Sequence, residues 1–216
     1  EVARLAERKS AYSGFNLLAT YTWSKALDNT TSSNSLGDEG SNAFSNYYNR
    51  RADLVCFVNG LPLVVVELKK PGIPAKQAFD DNLTSYKHPQ NGIPDLFWFN
   101  ALLIASNGIE SRVGTLTADW ERFFEWKRVE REDEPRRVSL EVMLRGVCDP
   151  VRFLDLVENF TLFSEERSGL LEILAQNHQV LGVNKAIPAM LEARAAGHGR
   201  GGVFWHTQGA GKSLSM

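Results

Sequence analysis

The 216-residue chain has little cysteine, little histidine and no excess of charge of one sign. Its two cysteines, Cys56 and Cys148, form no C-x-x-C pair, which argues against a disulfide framework or a thiolate zinc site. We interpret both as small buried hydrophobic residues of a protein from a reducing cytosol. The four histidines lack an H-x3-H spacing, so no histidine metal site is expected.

Long apolar runs are also missing. Apolar runs such as residues 64–66 and 101–105 fall far short of the roughly 20 residues that a membrane-spanning helix needs, so we expect a cytoplasmic protein without a membrane contact. A net charge of -2 gives no general attraction to nucleic acid, and any contact with DNA must therefore be local. With 43% hydrophobic and 23% charged residues, the composition is that of a globular protein.

The first 50 residues differ from the rest of the chain. Apolar and polar residues alternate from Phe15 to Trp23, which predicts a strand, and a polar run over 28–46 follows. The segment GFNLLATYTWSKALDNTT resembles a strand and external loop of an outer-membrane barrel of the TonB-dependent receptor type. A barrel cannot close with one strand, so we interpret residues 1–50 as a foreign N-terminus joined near 47–51. The alternatives are an unusual edge strand of the next domain and a membrane-associated barrel fragment.

From residue 51 onward the pattern is α/β. Residues 53–58 and 63–66 are rich in β-branched side chains and flank Asn59-Gly60, a strong hairpin signal. The same reasoning predicts a helix over 75–87, a strand over 102–106, a helix capped by Asp149 and running from Pro150 to about 163, helices over about 168–177 and 183–196, and a strand over 203–206.

The densest chemical signal is Asp53 followed by Glu67 and Lys69. Metal-dependent phosphodiester cleavage needs hard oxygen ligands for Mg²⁺ and a cation near the attacking water. Glu67 and Lys69 share one face of a strand, and Asp53 joins that face if it pairs with Glu67. That pairing requires an odd loop, and we predict a three-residue hairpin loop over 59–61 with a bulge.

The hairpin has two apolar faces, which predicts that it lies inside a layered domain. We expect one set of side chains below the acids and the other set on the opposite face: Val55, Phe57, Leu63 and Val65 in the first, and Leu54, Cys56, Val58, Val64 and Val66 in the second.

The D-x13-E-x-K spacing alone also fits a solvated strand end. The segments RRADLVCFVNGLPLVVVELKKPG and NLTSYKHPQNGIPDLFWFNALLIASNG, however, closely resemble the N-terminal nuclease region of the motor (R) subunit of type I restriction enzymes. The resemblance covers residues 51–216 and implies a restriction-endonuclease-like PD-(D/E)xK fold, a mixed sheet flanked by helices. By it, Asp53 and Glu67 hold Mg²⁺, and Lys69 orients or polarises the attacking water.

The same resemblance implies two accessory residues. Tyr86 matches a tyrosine of the family, and Asn82 stands four residues earlier, where the family often has glutamine. Asn82 keeps the amide but shortens its reach. The family also carries an acidic residue upstream of the triad, and Glu39 is too isolated to be nominated for that role.

A phosphate-binding loop is predicted near the C-terminus. In HTQGAGKS, glycines let backbone N–H groups surround phosphates, Lys212 reaches the β and γ oxygens, and Ser213 binds Mg²⁺. His206 replaces the first glycine of the general pattern, so a chance glycine-rich turn is the alternative. VFWHTQGAGKSLSM nevertheless resembles the first ATPase motif of the same motor subunits, which implies ATP binding through Gly209, Gly211, Lys212 and Ser213.

Two further features keep two interpretations each. Gln179 resembles a glutamine with which these motors read adenine, but a capped helix end is the alternative. The aromatic residues of DWERFFEWKR are predicted to pack in the core, with stacking on bases as the alternative. The charges of residues 130–137 alternate in sign, and this pattern predicts a solvated loop.

The sequence therefore predicts an atypical segment over 1–50, a PD-(D/E)xK nuclease domain over 51–150, and a helical connector with a truncated RecA-like P-loop start over 151–216. The resemblance implies Mg²⁺- and ATP-dependent cleavage of double-stranded DNA in a complex with methylation and specificity subunits. Only three residues follow Ser213, so we expect no ATP hydrolysis by this chain alone. The alternative function is that of a truncated or chimeric fragment without activity.

Overall fold

The computed structural model describes residues 51–167, 169–205, 207, 208, 211 and 215. The strand predicted from Phe15 to Trp23, the junction predicted near 47–51 and most of the phosphate-binding loop, including Gly209, Lys212 and Ser213, lie outside these residues.

Within the described residues, a four-stranded mixed sheet forms the centre of the fold, in the order β1-β2-β3-β4. The strands are β1 (Leu54–Val58), β2 (Leu61–Leu68), β3 (Leu102–Ser106) and β4 (Ser111–Gly114). Strand β2 pairs antiparallel with β1 and parallel with β3, and β4 pairs antiparallel with β3. Strand β3 is buried along its whole length, as expected for a central strand covered on both faces. The strand predicted over 102–106 is confirmed.

The β1–β2 hairpin places Asp53 opposite Glu67, but not by the predicted three-residue loop. Val58 pairs with Leu61 across a two-residue turn with positive φ angles at both central residues, 51° at Asn59 and 82° at Gly60. The register then shifts by one residue at a bulge between Cys56 and Phe57, so that Leu54 pairs with Val66.

The bulge also explains one wrong assignment of side chains to faces. Leu63, expected below the acids, packs instead on the cluster that contains Val64 and Val66. Its carbonyl accepts hydrogen bonds from the backbone N–H of Ala101 (2.8 Å) and the side chain of Asn100 (3.3 Å). The five residues that were predicted for the face opposite the acids do lie in or against this cluster.

Helix α1 covers the sheet face that carries Val65 and Glu67. It runs as a π-helical segment, Ala78–Leu83, continued by an α-helical turn, Thr84–Tyr86, within the helix predicted over 75–87. A short 3-10 turn, Pro94–Phe97, packs beside it. The buried residues of this face are Val65, Ala78, Leu83, Tyr86, Phe97, Leu103, Ala105, Ala118 and Phe123.

The opposite face is covered by α2 (Leu140–Val147), α3 (Pro150–Asn159), a hairpin of β5 (Thr161–Glu166) and β6 (Gly169–Leu174), and α4 (Asn177–Ala195). Asp149 caps α3 as predicted, since its Oδ1 accepts a hydrogen bond from the backbone N–H of Arg152 at 3.2 Å. The buried residues of this layer include Val64, Val66, Leu102, Ile104, Trp126, Met143, Phe153, Leu156, Leu174 and Val180.

Four predictions for the C-terminal third differ from the structure, two of them only in a helix boundary. Helix α3 ends at Asn159, and residues 168–177, predicted as a helix, contain strand β6 instead. The hairpin satisfies the backbone of both segments by strand pairing, which local periodicity does not reveal. The helix predicted from 183 begins at Asn177. Residues 203–205 form no strand, because no described strand lies beside them to pair with. The connector is therefore not purely helical.

The aromatic run packs in the core, as predicted. Phe123 and Trp126 are each 1% exposed, and Phe124 and Trp120 pack against the two clusters. Cys56 and Cys148 are free, partly buried thiols that pack against the core. None of the helices in the described ranges has the length and apolar character required to cross a membrane.

Gly146 supplies a test of this packing. A Cβ atom at position 146 would overlap the indole ring of Trp126, which is itself buried. We expect Gly146→Ala to lower the free energy of unfolding by about 1–3 kcal/mol, although alanine is the better helix former by about 1 kcal/mol. Urea denaturation would measure this, with Glu141→Ala on the exposed face of α2 as a control that changes it by less than about 0.5 kcal/mol. An unchanged midpoint for Gly146→Ala would contradict the packing.

Candidate nuclease site

Asp53 and Glu67 lie side by side at one end of the β1–β2 hairpin. The backbone N–H of Asp53 donates to Oε2 of Glu67 at 3.3 Å, and the backbone N–H of Leu68 donates to Oδ2 of Asp53 at 2.8 Å. Glu67 is only 2% exposed, whereas Asp53 is exposed. The pair is therefore reached from solvent on the Asp53 side.

The environment of Glu67 favours its protonated form. Burial, and next the carboxylate of Asp53, raise the pKa of Glu67 to about 7. Hydrogen bonds from Asp53 and Tyr86 and the charge of Lys69 act in the opposite direction without cancelling the shift. When both carboxyl groups are ionised, two negative charges face the single positive charge of Lys69, which favours a bound cation.

Asn82 links the other members of the site. Its Oδ1 accepts a hydrogen bond from Nζ of Lys69 at 2.6 Å, and its Nδ2 donates to Oε1 of Glu67 at 2.6 Å. The amide also contacts the hydroxyl of Tyr86 at 3.2 Å. The short side chain reaches both groups because α1 packs directly on the strand face that carries Glu67.

Tyr86 is a buried member of the same hydrogen-bond network. Its hydroxyl lies 2.8 Å from the carbonyl of Arg51 and 3.0 Å from Oε1 of Glu67, and it donates its single proton to one of them at a time. Burial, with the nearby charge of Glu67, raises the pKa of Tyr86 to about 12. Tyr86 therefore stays a hydrogen-bond donor at neutral pH.

The structure thus brings together all five residues predicted for the nuclease site: Asp53, Glu67, Lys69, Asn82 and Tyr86. Sequence reasoning missed the carbonyl of Arg51, which no side-chain pattern could reveal. The backbone of Lys69 is also fixed. Its backbone N–H donates a hydrogen bond of 2.7 Å to the carbonyl of Ser106, the last residue of β3.

The candidate metal ligands are two carboxylates. No group of three or more histidine, cysteine, aspartate or glutamate residues in the described part of the chain is arranged to hold a metal ion. Two adjacent carboxylates that repel each other still suit Mg²⁺, a hard ion that keeps several of its waters and binds proteins through one or two carboxylates.

At the other predicted site, Gln179 contacts Gly211 of the predicted phosphate-binding loop. Its Nε2 donates to the carbonyl of Gly211 at 2.9 Å, while its Oε1 accepts from the backbone N–H of Gln176 at 2.7 Å. The second bond is part of a capping box at the start of α4. Gln179 therefore caps the helix and contacts Gly211, and its reading of adenine stays a prediction.

Two family models match the chain. Residues 39–122 match the model described as Type I restriction enzyme R protein N terminus, and residues 178–216 match the SWI2/SNF2 ATPase model. The first match contains the five residues of the nuclease site, and the second contains Gln179 and Gly211. The first begins at residue 39, within the segment interpreted from sequence as foreign, and the junction near 47–51 stays a prediction.

The chain is also similar to curated endonuclease subunits of type I restriction enzymes. The HindI type I restriction enzyme endonuclease subunit of Haemophilus influenzae is 41% identical over 176 residues, covering 77% of this chain and 16% of that protein. A type I restriction enzyme endonuclease subunit of Staphylococcus aureus is 28% identical over 205 residues, which cover 93% of this chain and 20% of that protein. The chain thus spans 16–20% of the length of these relatives. The comparisons support the resemblance to the N-terminal region of an R subunit and give no support to the resemblance of residues 1–50 to a TonB-dependent receptor.

Proposed function

Because the residues of the nuclease site all lie within the match to the N terminus of type I restriction enzyme R proteins, we propose that this chain is the nuclease region of such an R subunit. The proposed activity is Mg²⁺- and ATP-dependent cleavage of double-stranded DNA. It takes place in the cytoplasm, in a complex with methylation and specificity subunits. The observation that carries the proposal is the hydrogen-bonded network joining Asp53, Glu67, Lys69, Asn82 and Tyr86.

Each residue has a distinct part in the proposed reaction. Asp53 and Glu67 hold Mg²⁺, which when bound supplies positive charge at the scissile phosphate. Lys69, whose ammonium group is fixed by Asn82, donates a hydrogen bond to the attacking water. Asn82 and Tyr86 both hold Oε1 of Glu67, which keeps that carboxylate oriented when it loses its proton.

Cleavage by the reconstituted complex tests this proposal. We expect Asp53→Ala in the full-length subunit to abolish Mg²⁺-dependent cleavage, because a single carboxylate remains to hold the ion. Asp81→Ala, which removes an exposed carboxylate of α1 outside the network, serves as the matched control and should cleave at the wild-type rate. Full cleavage by Asp53→Ala would favour the alternative, a truncated or chimeric fragment whose role is structural only.

Nucleotide binding is the second part of the proposal. The loop from Gly209 to Ser213, with Gln179 beside Gly211, is proposed to bind ATP with Mg²⁺. We expect the 216-residue chain to bind ATP without steady release of phosphate, and Lys212→Ala to weaken binding by at least about tenfold. Equilibrium binding and a phosphate-release assay would measure both. Sustained phosphate release that Lys212→Ala abolishes would contradict this expectation.

A further inference from the structure

The first turn of α4 makes two sets of contacts, one through Asn177 and one through Gln179. This residue is 6% exposed, and its amide is fully engaged with the backbone of the segment that follows Trp126. Its Oδ1 accepts from the backbone N–H groups of Lys127 (3.3 Å) and Arg128 (3.1 Å), and its Nδ2 donates to the carbonyl of Arg128 at 2.9 Å. One side chain thus satisfies three backbone groups of the nuclease part of the chain.

The second set of contacts runs through Gln179, two residues further along the same turn. Gln179 is 5% exposed and donates to the carbonyl of Gly211 at 2.9 Å. The contact leaves no space, since a Cβ at position 211 would lie 2.6 Å from the Gln179 amide nitrogen. Gly211 is therefore seated directly on this glutamine.

The turn that joins these two contacts is held rigidly. Gln176 and Gln179 form a reciprocal capping box, in which Oε1 of Gln179 accepts from the Gln176 backbone at 2.7 Å. Val180, one residue later, is buried in the core beneath the sheet. Asn177 and Gln179 therefore belong to one capped and buried helical turn.

The segment held by Asn177 is continuous with the nuclease sheet. Phe124 pairs with Val113 of β4 through two backbone hydrogen bonds of 2.9 and 3.0 Å. A cavity of about 400 Å³ lies between this segment and the start of α4, lined among others by Arg128, His178 and Trp205. Residues from both parts of the chain therefore face a common space.

We propose that Asn177 is a positioning residue that couples occupation of the glycine loop by a nucleoside triphosphate to the backbone at 127–128. The inference rests on the nucleotide binding proposed above. A ligand that stabilises the seat of Gly211 on Gln179 also stabilises the turn, and with it the hydrogen bonds of Asn177 to residues 127 and 128. By reciprocity, loss of the Asn177 bonds weakens nucleotide binding, although Asn177 reaches the loop only through Gln179.

Hydrogen exchange tests the coupling directly, because the amides of Lys127 and Arg128 are bonded to Asn177. In the wild-type 216-residue chain, a saturating non-hydrolysable ATP analogue with Mg²⁺ is expected to slow exchange of these two amides by at least about fivefold. Equilibrium binding of the same analogue is expected to be weakened by about five- to tenfold in Asn177→Ala. Asn177→Asp keeps the acceptor and loses the Nδ2 donor, so its affinity should fall between the two.

The matched control is Asn184→Ala, which removes an exposed asparagine of α4 whose bond goes to Asp155 and which should bind like the wild type. A merely structural role would lower the thermal stability of Asn177→Ala and Asn177→Asp without changing their nucleotide affinity, and this result would overturn the proposal. The proposal would also be overturned if the ATP analogue bound the wild-type chain but left hydrogen exchange of the Lys127 and Arg128 amides unchanged. In that case the proposed nucleotide binding itself would stand. Failure of the wild-type chain to bind the analogue would overturn both.

Discussion

Lys69→Met is expected to lower the rate of DNA cleavage by about 10³-fold or more, while the fold stays intact. Methionine has a side chain of similar length but removes the ammonium group, whose Nζ donates to Oδ1 of Asn82 at 2.6 Å. The carboxylates of Asp53 and Glu67 keep their positions, because their mutual contacts run through the backbone. The loss therefore falls on the step in which water attacks the phosphate.

The neighbouring lysine provides the control. Lys70 is exposed, and as the next residue along the chain it has the same side-chain chemistry. Single-turnover cleavage by the full complex should be normal in Lys70→Met and absent in Lys69→Met, with equal DNA affinity for both. Equal losses in the two variants would show that the lysines act together in DNA binding, and wild-type cleavage by Lys69→Met would remove Lys69 from the site.

The second large effect concerns pH. The pKa of Glu67, raised mainly by burial from its ordinary value of 4.5 to about 7, means that the folded chain holds this proton more tightly than the unfolded chain. The stability that comes from the proton is fully present below the unfolded pKa and is lost as the pH rises through about 7. The free energy of unfolding should therefore fall by about 1–3 kcal/mol between pH 5 and pH 8 in the absence of Mg²⁺.

Mg²⁺ should reverse this loss, because the ion binds the deprotonated carboxylate. We expect urea denaturation at pH 8 to show stabilisation of the wild-type chain by Mg²⁺, with an apparent affinity that increases as the pH rises through about 7. In Glu67→Gln the chain should be more stable than the wild type at pH 8 without Mg²⁺, and the added ion should have no effect.

Glu172 offers a matched control for this experiment. Burial raises the pKa of Glu172 as well, and the residue lies in β6, outside the nuclease site. Glu172→Gln should alter the pH dependence of stability but leave stabilisation by Mg²⁺ unchanged. If Mg²⁺ stabilised Glu67→Gln as strongly as the wild type, Glu67 would not be a ligand of the ion.

Much of the site was predictable because its signals are local in sequence. Glu67 and Lys69 share a strand face by the two-residue repeat, and Asn82 and Tyr86 are neighbours on a helix by the four-residue repeat. The resemblance to R subunits added the roles that these spacings alone leave open. The cap of α3 also follows from the residue next to it, Asp149.

The pairing of Asp53 with Glu67 was predicted from chemistry rather than from the turn. The sequence Asn59-Gly60 correctly indicated a two-residue turn, which by itself would place the two carboxylates on opposite faces. The bulge that restores the pairing depends on how β2 lies against β3, where the carbonyl of Leu63 is bonded to Ala101. A contact with a strand some 40 residues away leaves no mark in the hairpin sequence.

The sequence by itself thus determined the strands β1 to β3, the helical segment of Asn82 and Tyr86, and the residues of the candidate nuclease site. Tertiary structure alone decided that residues 169–174 form a strand instead of a helix, that Glu67 is buried beside Asp53, and that Asn177 contacts the 127–128 backbone while Gln179 contacts Gly211. The physical reason is the same in each case. Strand pairing, desolvation and side-chain bonds to distant backbone depend on segments far apart in the chain, whereas periodicity and capping depend on neighbours.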